Sequence, residues 1–408
     1  MTKRLKTSKV LGKFMADYYH KLDDAAKTKT KKIAWCTSVG PAELLRALGY
    51  MVYFPETHSA MLGTSRMATD LIPKANAIGY SPEVCSYLTT DIGAHLEGVS
   101  PLKKAFNIES PPKPDVLVFN TNQCRDVQDW FFWYGRKYKV PAIGIHTYCA
   151  VSDVTDDYIP SIVNQIKSLI KPLEEIAQTK FDIDKLKHII SLSKKCSKLW
   201  EKALHAGSAK PSPLNFFDAV TLMGAAVVGR GTEKANECYE ELLKELNERI
   251  DKKEGAIEDE KYRLYWDGMP VWGRLRAHSE MFASLKACMI ASTYCNSWIF
   301  NSLDPDYPFE SMARAYTELF IARSEEYKEK YIKKMLKFFK ADGIVYHDAK
   351  TCLNNSNCRY GMPNRLESET DIPYLIINGD LNDLRLISDE QTTTNVEAFI
   401  EQLEENIK

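Results

Sequence analysis

No CxxC pair occurs anywhere in this chain, although it carries ten cysteines. Paired spacing marks most structural zinc sites and thioredoxin-like redox motifs, so the sequence signals neither. A disulfide framework belongs to short secreted chains, whereas these cysteines are spread from Cys36 to Cys358 along 408 residues. No apolar run reaches the roughly 18 residues of a membrane span. The nearest, Phe216 to Gly229, is shorter and holds Asp218 and Thr221. The start of the chain, MTKRLKTSKVLGKF, is basic but lacks the apolar stretch and small-residue cleavage site of a secretory signal, so a cytoplasmic protein is expected. Excess charge is missing too: 54 Lys plus Arg stand against 55 Asp plus Glu, a net charge of −1. That balance leaves no electrostatic footprint for nucleic acid or an anionic membrane, and neither is an expected partner.

What is present is alternation. A helical lead-in over 1–30 puts Leu11, Phe14, Met15, Tyr18 and Leu22 on one face. Lys31 to Cys36 reads as a buried strand, Gly40-Pro41 opens a helix that stops at Gly49, and Tyr50 to Phe54 is a second strand. Asp115 to Asn120 and Val140 to Ile145 are further strands. Strands alternating with helices predict right-handed βαβ units on a mainly parallel sheet. Over 152–261 the pattern becomes long, charged and helical, with Asp251 to Glu260 as an exposed connection. The first pattern then returns: Tyr262 to Pro270 matches Ile33 to Pro41, Asp342 to His347 matches Asp115 to Asn120, and Ile372 to Ile377 matches Val140 to Ile145. The expected fold is α/β: two related Rossmann-like domains with mainly parallel sheets, over 31–151 and 262–408, joined by the helical section 152–261.

Ligands of such sheets bind beyond the carboxyl ends of the strands, where the next helix begins, and this rule sorts the cysteines. Cys124 follows the strand ending at Asn120, and Cys352 follows the strand ending at His347. Cys85 sits in Ser81-Pro-Glu-Val-Cys85, where Ser81 can cap and Pro82 can open a helix with Cys85 in its first turn. Helix N-termini lower a thiol's pKa, and metals bind the thiolate, so all three positions favour ligation. Cys36 lies in a strand, and Cys196, Cys238, Cys288 and Cys295 in helical stretches, which makes them core thiols. Cys149 and Cys358 compete on position. Three cysteines from three loops leave one place on a metal centre open for substrate.

Taken in order, Gly40-Pro-Ala-Glu-Leu-Leu-Arg-Ala-Leu-Gly49, Phe54-Pro-Glu56, Cys85, Asp115 to Cys124, Cys352, Asp371-Ile-Pro-Tyr-Leu375 and Asn395-Val-Glu-Ala-Phe-Ile400 resemble the 2-hydroxyacyl-CoA dehydratase family, whose relatives include the benzoyl-CoA reductases. The resemblance spans nearly the whole chain. It departs after Cys352, where Leu353-Asn354-Asn355 and an extra Cys358 replace the family's usual Lys-Pro or Asp-Pro. It implies a cytoplasmic hydro-lyase subunit that acts on a 2-hydroxyacyl-CoA, with 2-hydroxyisocaproyl-CoA as the expected substrate. It also implies a [4Fe–4S] cluster held by Cys85, Cys124 and Cys352 with one open position. The implied partners are a second, similar subunit with its own cluster and an ATP-hydrolysing iron–sulfur activator that injects one electron. A reductase subunit and a catalytically silent partner subunit are the rival expectations.

The implied reaction is hard because the β-proton is not acidified by the thioester and the hydroxyl leaves from the α-carbon. Acid–base catalysis worth roughly 10² to 10⁴ does not close that gap. One electron added to the carbonyl gives a ketyl radical that expels the hydroxyl and makes the β-proton acidic, and its return yields the (E)-2-enoyl-CoA. Ser38, at a strand end, is the candidate hydrogen-bond donor to a substrate oxygen, and Glu56, at the close of the second strand, is the candidate proton acceptor. The backbone N–H groups of Val39 and Gly40 are candidates for holding the carbonyl. Of the strand-end histidines His58, His146 and His347, only His347, five residues from Cys352, is near enough in sequence to compete.

Overall fold

The computed structural model describes residues 2–407. Two four-stranded sheets, parallel throughout, carry the fold. The first comprises β1 (Ile33–Cys36), β2 (Met51–Tyr53), β3 (Val116–Asn120) and β4 (Ala142–Ile145) in the order β2-β1-β3-β4. The second comprises β5 (Tyr262–Asp267), β6 (Ala287–Ser292), β7 (Gly343–Ala349) and β8 (Tyr374–Gly379) in the matching order β6-β5-β7-β8. The repeat read from the sequence is thus a repeat of topology: β1, β3 and β4 correspond to β5, β7 and β8. In each sheet the chain reverses its winding between the first and third strands, which pair directly, as Trp35 does with Leu117 and Tyr265 with Ile344. Such a switch point opens a crevice at the carboxyl edge.

The central strands are buried along their whole length, as sheets covered on both faces require. Along β5, Tyr262, Leu264 and Trp266 join the main core while Tyr265 faces a second core with Ile344, Tyr346, Phe339 and Met362. Arg263 in the same strand is buried and ion-paired to Glu260, and it donates to the carbonyl of Gly207 at 2.8 Å. β6, Ala-Cys-Met-Ile-Ala-Ser, corrects the sequence expectation that Cys288 lies in a helix. Alanine, methionine and cysteine carry no strand signal of their own, and pairing with β5 decides the conformation.

Between β4 and β5 the chain is helical. The helix Ile183–His205 starts at Asp182, whose carboxylate accepts from the backbone N–H groups of Asp184 and Lys185. It packs on Glu233–Asp251, with Trp200 stacked on Tyr239 at 5.0 Å. Asp251 to Glu260 is exposed over most of its length but anchored at its middle, where Ala256 and Ile257 are buried and Ala256 makes backbone hydrogen bonds with Ser212 and Lys3. Among the described residues no helix is long and apolar enough to cross a membrane.

Arg230 fastens the helical section to the first sheet. Its guanidinium, 2% exposed, donates to Glu43 at 3.0 Å and to the carbonyls of Ser38 and Gly40 at 2.6 and 2.7 Å. Glu43 also accepts from Ser193 and Tyr316. Removing the cation leaves the buried Glu43 carboxylate without its ion-pair partner. Arg230→Met should therefore cost about 3–5 kcal/mol, read as a lower urea midpoint at unchanged slope.

Candidate active site

At the carboxyl end of β1 the chain turns sharply: the Gly40 N–H donates to the Thr37 carbonyl at 2.8 Å, and the Thr37 hydroxyl accepts from the Asn120 N–H at the end of β3. Asn120 and Asn122 both donate to the Val39 carbonyl. The loops after β1 and β3 are thereby locked together at the switch point. The Gly40 N–H is occupied in the turn, so it is not a free donor for a substrate carbonyl.

Glu56 does not lie in an open loop. Pro55 sets the first position of the helix Pro55–Thr64, and Glu56 occupies its first turn, where the backbone potential is positive. It is 8% exposed. One carboxylate oxygen accepts from the Ser38 N–H and the other from the Gln123 side chain at 3.0 Å; the Ser38 hydroxyl bonds it as well. Burial raises its pKa above the ordinary carboxylate value, against the lowering effect of these bonds and of Arg230. Ser38 and Glu56 are thus brought together, with Gln123, which carried no signal beyond its place before Cys124.

Three of the ten cysteines meet. Cys85, Cys124 and Cys352 line one cavity of about 710 Å³ between the two sheets. They are close enough for charge on one to raise the pKa of another: Cys124 and Cys352 act on Cys85, and Cys352 acts on Cys124. Cys85 is the N-cap of the helix Ser86–Glu97, because Ser81 to Val84 close a turn of their own and the helix begins later than Ser81-Pro82 suggests. Its N–H donates to Asp126, in the first turn of the helix Asp126–Tyr138 that follows Cys124. Cys352 follows β7. Cys358, the competitor, packs in the second core and does not line the cavity, and Cys149 is exposed.

The thiols are not activated as their helix positions suggest. Burial pushes all three up, Cys352 to about 12, and outweighs the nearby N–H groups of Leu88, Val127 and Asn355. A protonated thiol in a largely apolar cavity becomes a thiolate when a metal replaces the proton. Among the described residues no three or more His, Cys, Asp or Glu side chains converge tightly enough for a single ion. A polynuclear cluster does not need that convergence, since each thiolate takes a different iron.

What holds the cysteine loops in place was not legible in the sequence. Asp380, directly after β8, is fully buried and accepts from the Ser86 hydroxyl, from the Thr351 N–H and hydroxyl, and from the N–H groups of Asn382 and Asp383. Thr351 in turn accepts from the Ser86 N–H at 3.0 Å. One carboxylate therefore ties the neighbour of Cys85 to the neighbour of Cys352. Lys328 supports the same loop from below, donating to the Asn354 carbonyl and to Asn357, which donates to Asp267. Asp380→Ala strands five donors and should cost about 3 kcal/mol or more, seen as an earlier unfolding transition.

The histidines stand apart. His58 is buried between Asp91 and Ser100, His146 meets Thr121 at the surface, and His347 bonds the Met269 carbonyl through Nδ1. None of the three lines the cavity.

Two like-wound parallel domains flank a cavity lined by three thiols and a buried carboxylate, a site placed where α/β enzymes bind their ligands. Residues 37–403 match the family model of the 2-hydroxyglutaryl-CoA dehydratase D-component, and the chain belongs to that family. It is 29% identical to the (R)-2-hydroxyisocaproyl-CoA dehydratase alpha subunit of Clostridioides difficile, over 100% of this chain and 98% of the relative. A benzoyl-CoA reductase subunit of Thauera aromatica is 26% identical, over 96% and 93%. The alpha subunit of (R)-2-hydroxyglutaryl-CoA dehydratase of Acidaminococcus fermentans is 24% identical, over 93% and 94%.

Proposed function

We propose that this chain is a subunit of an iron–sulfur (R)-2-hydroxyacyl-CoA dehydratase, a hydro-lyase that removes water to give the (E)-2-enoyl-CoA. The observation that carries the reading is the meeting of Cys85, Cys124 and Cys352 with Glu56 and Ser38 around one cavity. The donor set fits a [4Fe–4S] cluster: three soft ligands from three loops, with no fourth cysteine lining the cavity among the described residues. When bound, such a cluster supplies single-electron chemistry and an open, Lewis-acidic iron.

The chain's own residues do the rest. Glu56 takes the β-proton of the substrate. Its two oxygens offer about four acceptor sites, so the contacts with Ser38 and Gln123 leave room for a further proton donor. Ser38 fixes the carboxylate and, by turning its hydroxyl, donates to a substrate oxygen. Tyr87, Trp272 and Trp298 line the cavity with large apolar surfaces. A second, similar subunit with its own cluster and an ATP-dependent activator complete the enzyme, and its reactions belong to the cytoplasm.

The test is anaerobic purification of the chain with its partner subunit, iron and sulfide analysis, and turnover with the activator. Redox-neutral dehydration with only catalytic amounts of reductant supports the reading. Stoichiometric consumption of reductant places the chain in a reductase instead, as the similarity to the Thauera aromatica protein would favour. Unchanged turnover after loss of this chain's cysteines makes it a silent partner.

A further inference from the structure

His58 has no role in the chemistry above, yet its side chain is 1% exposed and is paired to Asp91, which is fully buried. It bonds one Asp91 oxygen through Nδ1 at 2.5 Å and the Ser100 hydroxyl through Nε2 at 2.9 Å. The other Asp91 oxygen accepts from the Tyr134 hydroxyl. His95 stands 3.9 Å from the same carboxylate, but burial lowers its pKa to about 4 and leaves it uncharged near neutral pH.

The three bonded groups sit on three helices that begin at the cavity. His58 follows Glu56 in Pro55–Thr64, Asp91 follows Cys85 in Ser86–Glu97, and Tyr134 follows Cys124 in Asp126–Tyr138. Glu56, Cys85 and Cys124 line the cavity; His58 and Asp91 stand behind them. A second tie joins the first two helices: the Ser59 hydroxyl donates to the Tyr87 carbonyl at 2.9 Å. Asn382, from the other domain, donates to the Ser59 carbonyl at 3.1 Å. Side chains of consecutive residues leave a helix about 100° apart. Anchors at His58 and Ser59 therefore pull in different directions, and together they fix the rotation of the helix as well as its distance.

We propose that His58 is a positioning residue for Glu56: through Asp91 it holds the first turn of the Glu56 helix in one rotation relative to the helices that follow Cys85 and Cys124. The proposal rests on the dehydratase reading above and adds what aims its base. With the His58 tie cut, the Ser59 bond still keeps the helix on the protein, but its first turn can pivot. Proton transfer is steep in distance, and a misplacement of about 1 Å costs up to roughly 10² in rate.

The test uses the complex with its partner subunit, purified anaerobically and assayed on a 2-hydroxyacyl-CoA carrying deuterium at the β-carbon. His58→Leu keeps the bulk and removes both hydrogen bonds, whereas His58→Asn returns an N–H near the place of Nδ1. His58→Leu/Asp91→Leu cuts the same tie without stranding a buried carboxylate, so it folds even where the single variant does not. For His58→Leu the expected result is kcat lower by about 10- to 100-fold, KM within about threefold, and iron content as in the unaltered complex. The β-deuterium isotope effect on kcat should rise, because a misplaced base slows the proton transfer itself. The double variant should match it, and His58→Asn should recover most of the turnover. Tyr50→Phe gives up a buried hydroxyl contact with the Leu173 carbonyl of the helical section at 2.7 Å. It should lower the unfolding midpoint and leave the isotope effect as it was. Turnover that falls at an unchanged isotope effect, iron lost together with turnover, or near-normal turnover in the folded variants overturns the proposal. If the unaltered complex dehydrates no 2-hydroxyacyl-CoA, the dehydratase reading itself fails and this inference falls with it.

Discussion

If the proposed cluster is present, at about four irons per chain, Cys85→Ala, Cys124→Ala and Cys352→Ala should each purify with far less iron than the unaltered protein, and with no turnover. Cys358→Ala and Cys149→Ala should keep both. The expectation follows from where the thiols stand. The first three line one cavity, Cys358 is packed in the core with Tyr346, and Cys149 is exposed to solvent. Were these three the ligands of the proposed cluster, losing one would expose it to solvent and to exchange, so the effect on iron would be large even where the fold survives. Anaerobic iron and sulfide analysis reads it directly, and a Cys358→Ala protein that loses its iron while Cys352→Ala retains it would reassign the third ligand.

Glu56→Gln should keep the iron and bind acyl-CoA, yet lose roughly 10² or more in turnover and slow the exchange of the β-hydrogen with solvent. Glutamine preserves the shape and can still accept from Ser38, but it cannot take a proton. The pH profile adds a second reading. A base acts in its deprotonated form, and burial raises the Glu56 pKa above the usual carboxylate range. The acidic limb of the turnover profile should therefore lie above that range, with activity rising as pH increases through it, and the limb should vanish in Glu56→Gln. Near-normal turnover and exchange in that variant would assign the proton to another acceptor, the departing hydroxide first.

Why so much of this was legible in the sequence, and why part was not, comes down to range. β1, β3, β5 and β7 are short apolar runs bounded by turn residues, and their buried character is local. Their order could be read because the same strand-and-turn pattern occurs twice. β6 was missed because only Ile290 in it favours a strand, and pairing with β5 decides the conformation of the rest. The cysteines could be sorted by position because a strand end is a sequence feature. Their pKa values could not, since burial outweighs the helix ends and burial is set by the opposite domain. Asp380, Arg230 and Lys328 carry no local signature, and their partners lie far away along the chain: Ser86 and Thr351, Ser38 and Gly40, Asn354 and Asn357.

The Asp380 clamp also orders the making of the protein. Its carboxylate follows the eighth and last strand, while the loops it joins begin at Ser86 and Thr351. During synthesis the first sheet and the helical section leave the ribosome with one wall of the cavity missing. Cys85 and Cys124 precede the closing carboxylate by more than two hundred residues. If the three thiols hold the proposed cluster, a chain stopped short of β8 lacks the carboxylate that sets two of their loops, so the full ligand set forms only once the last strand is made.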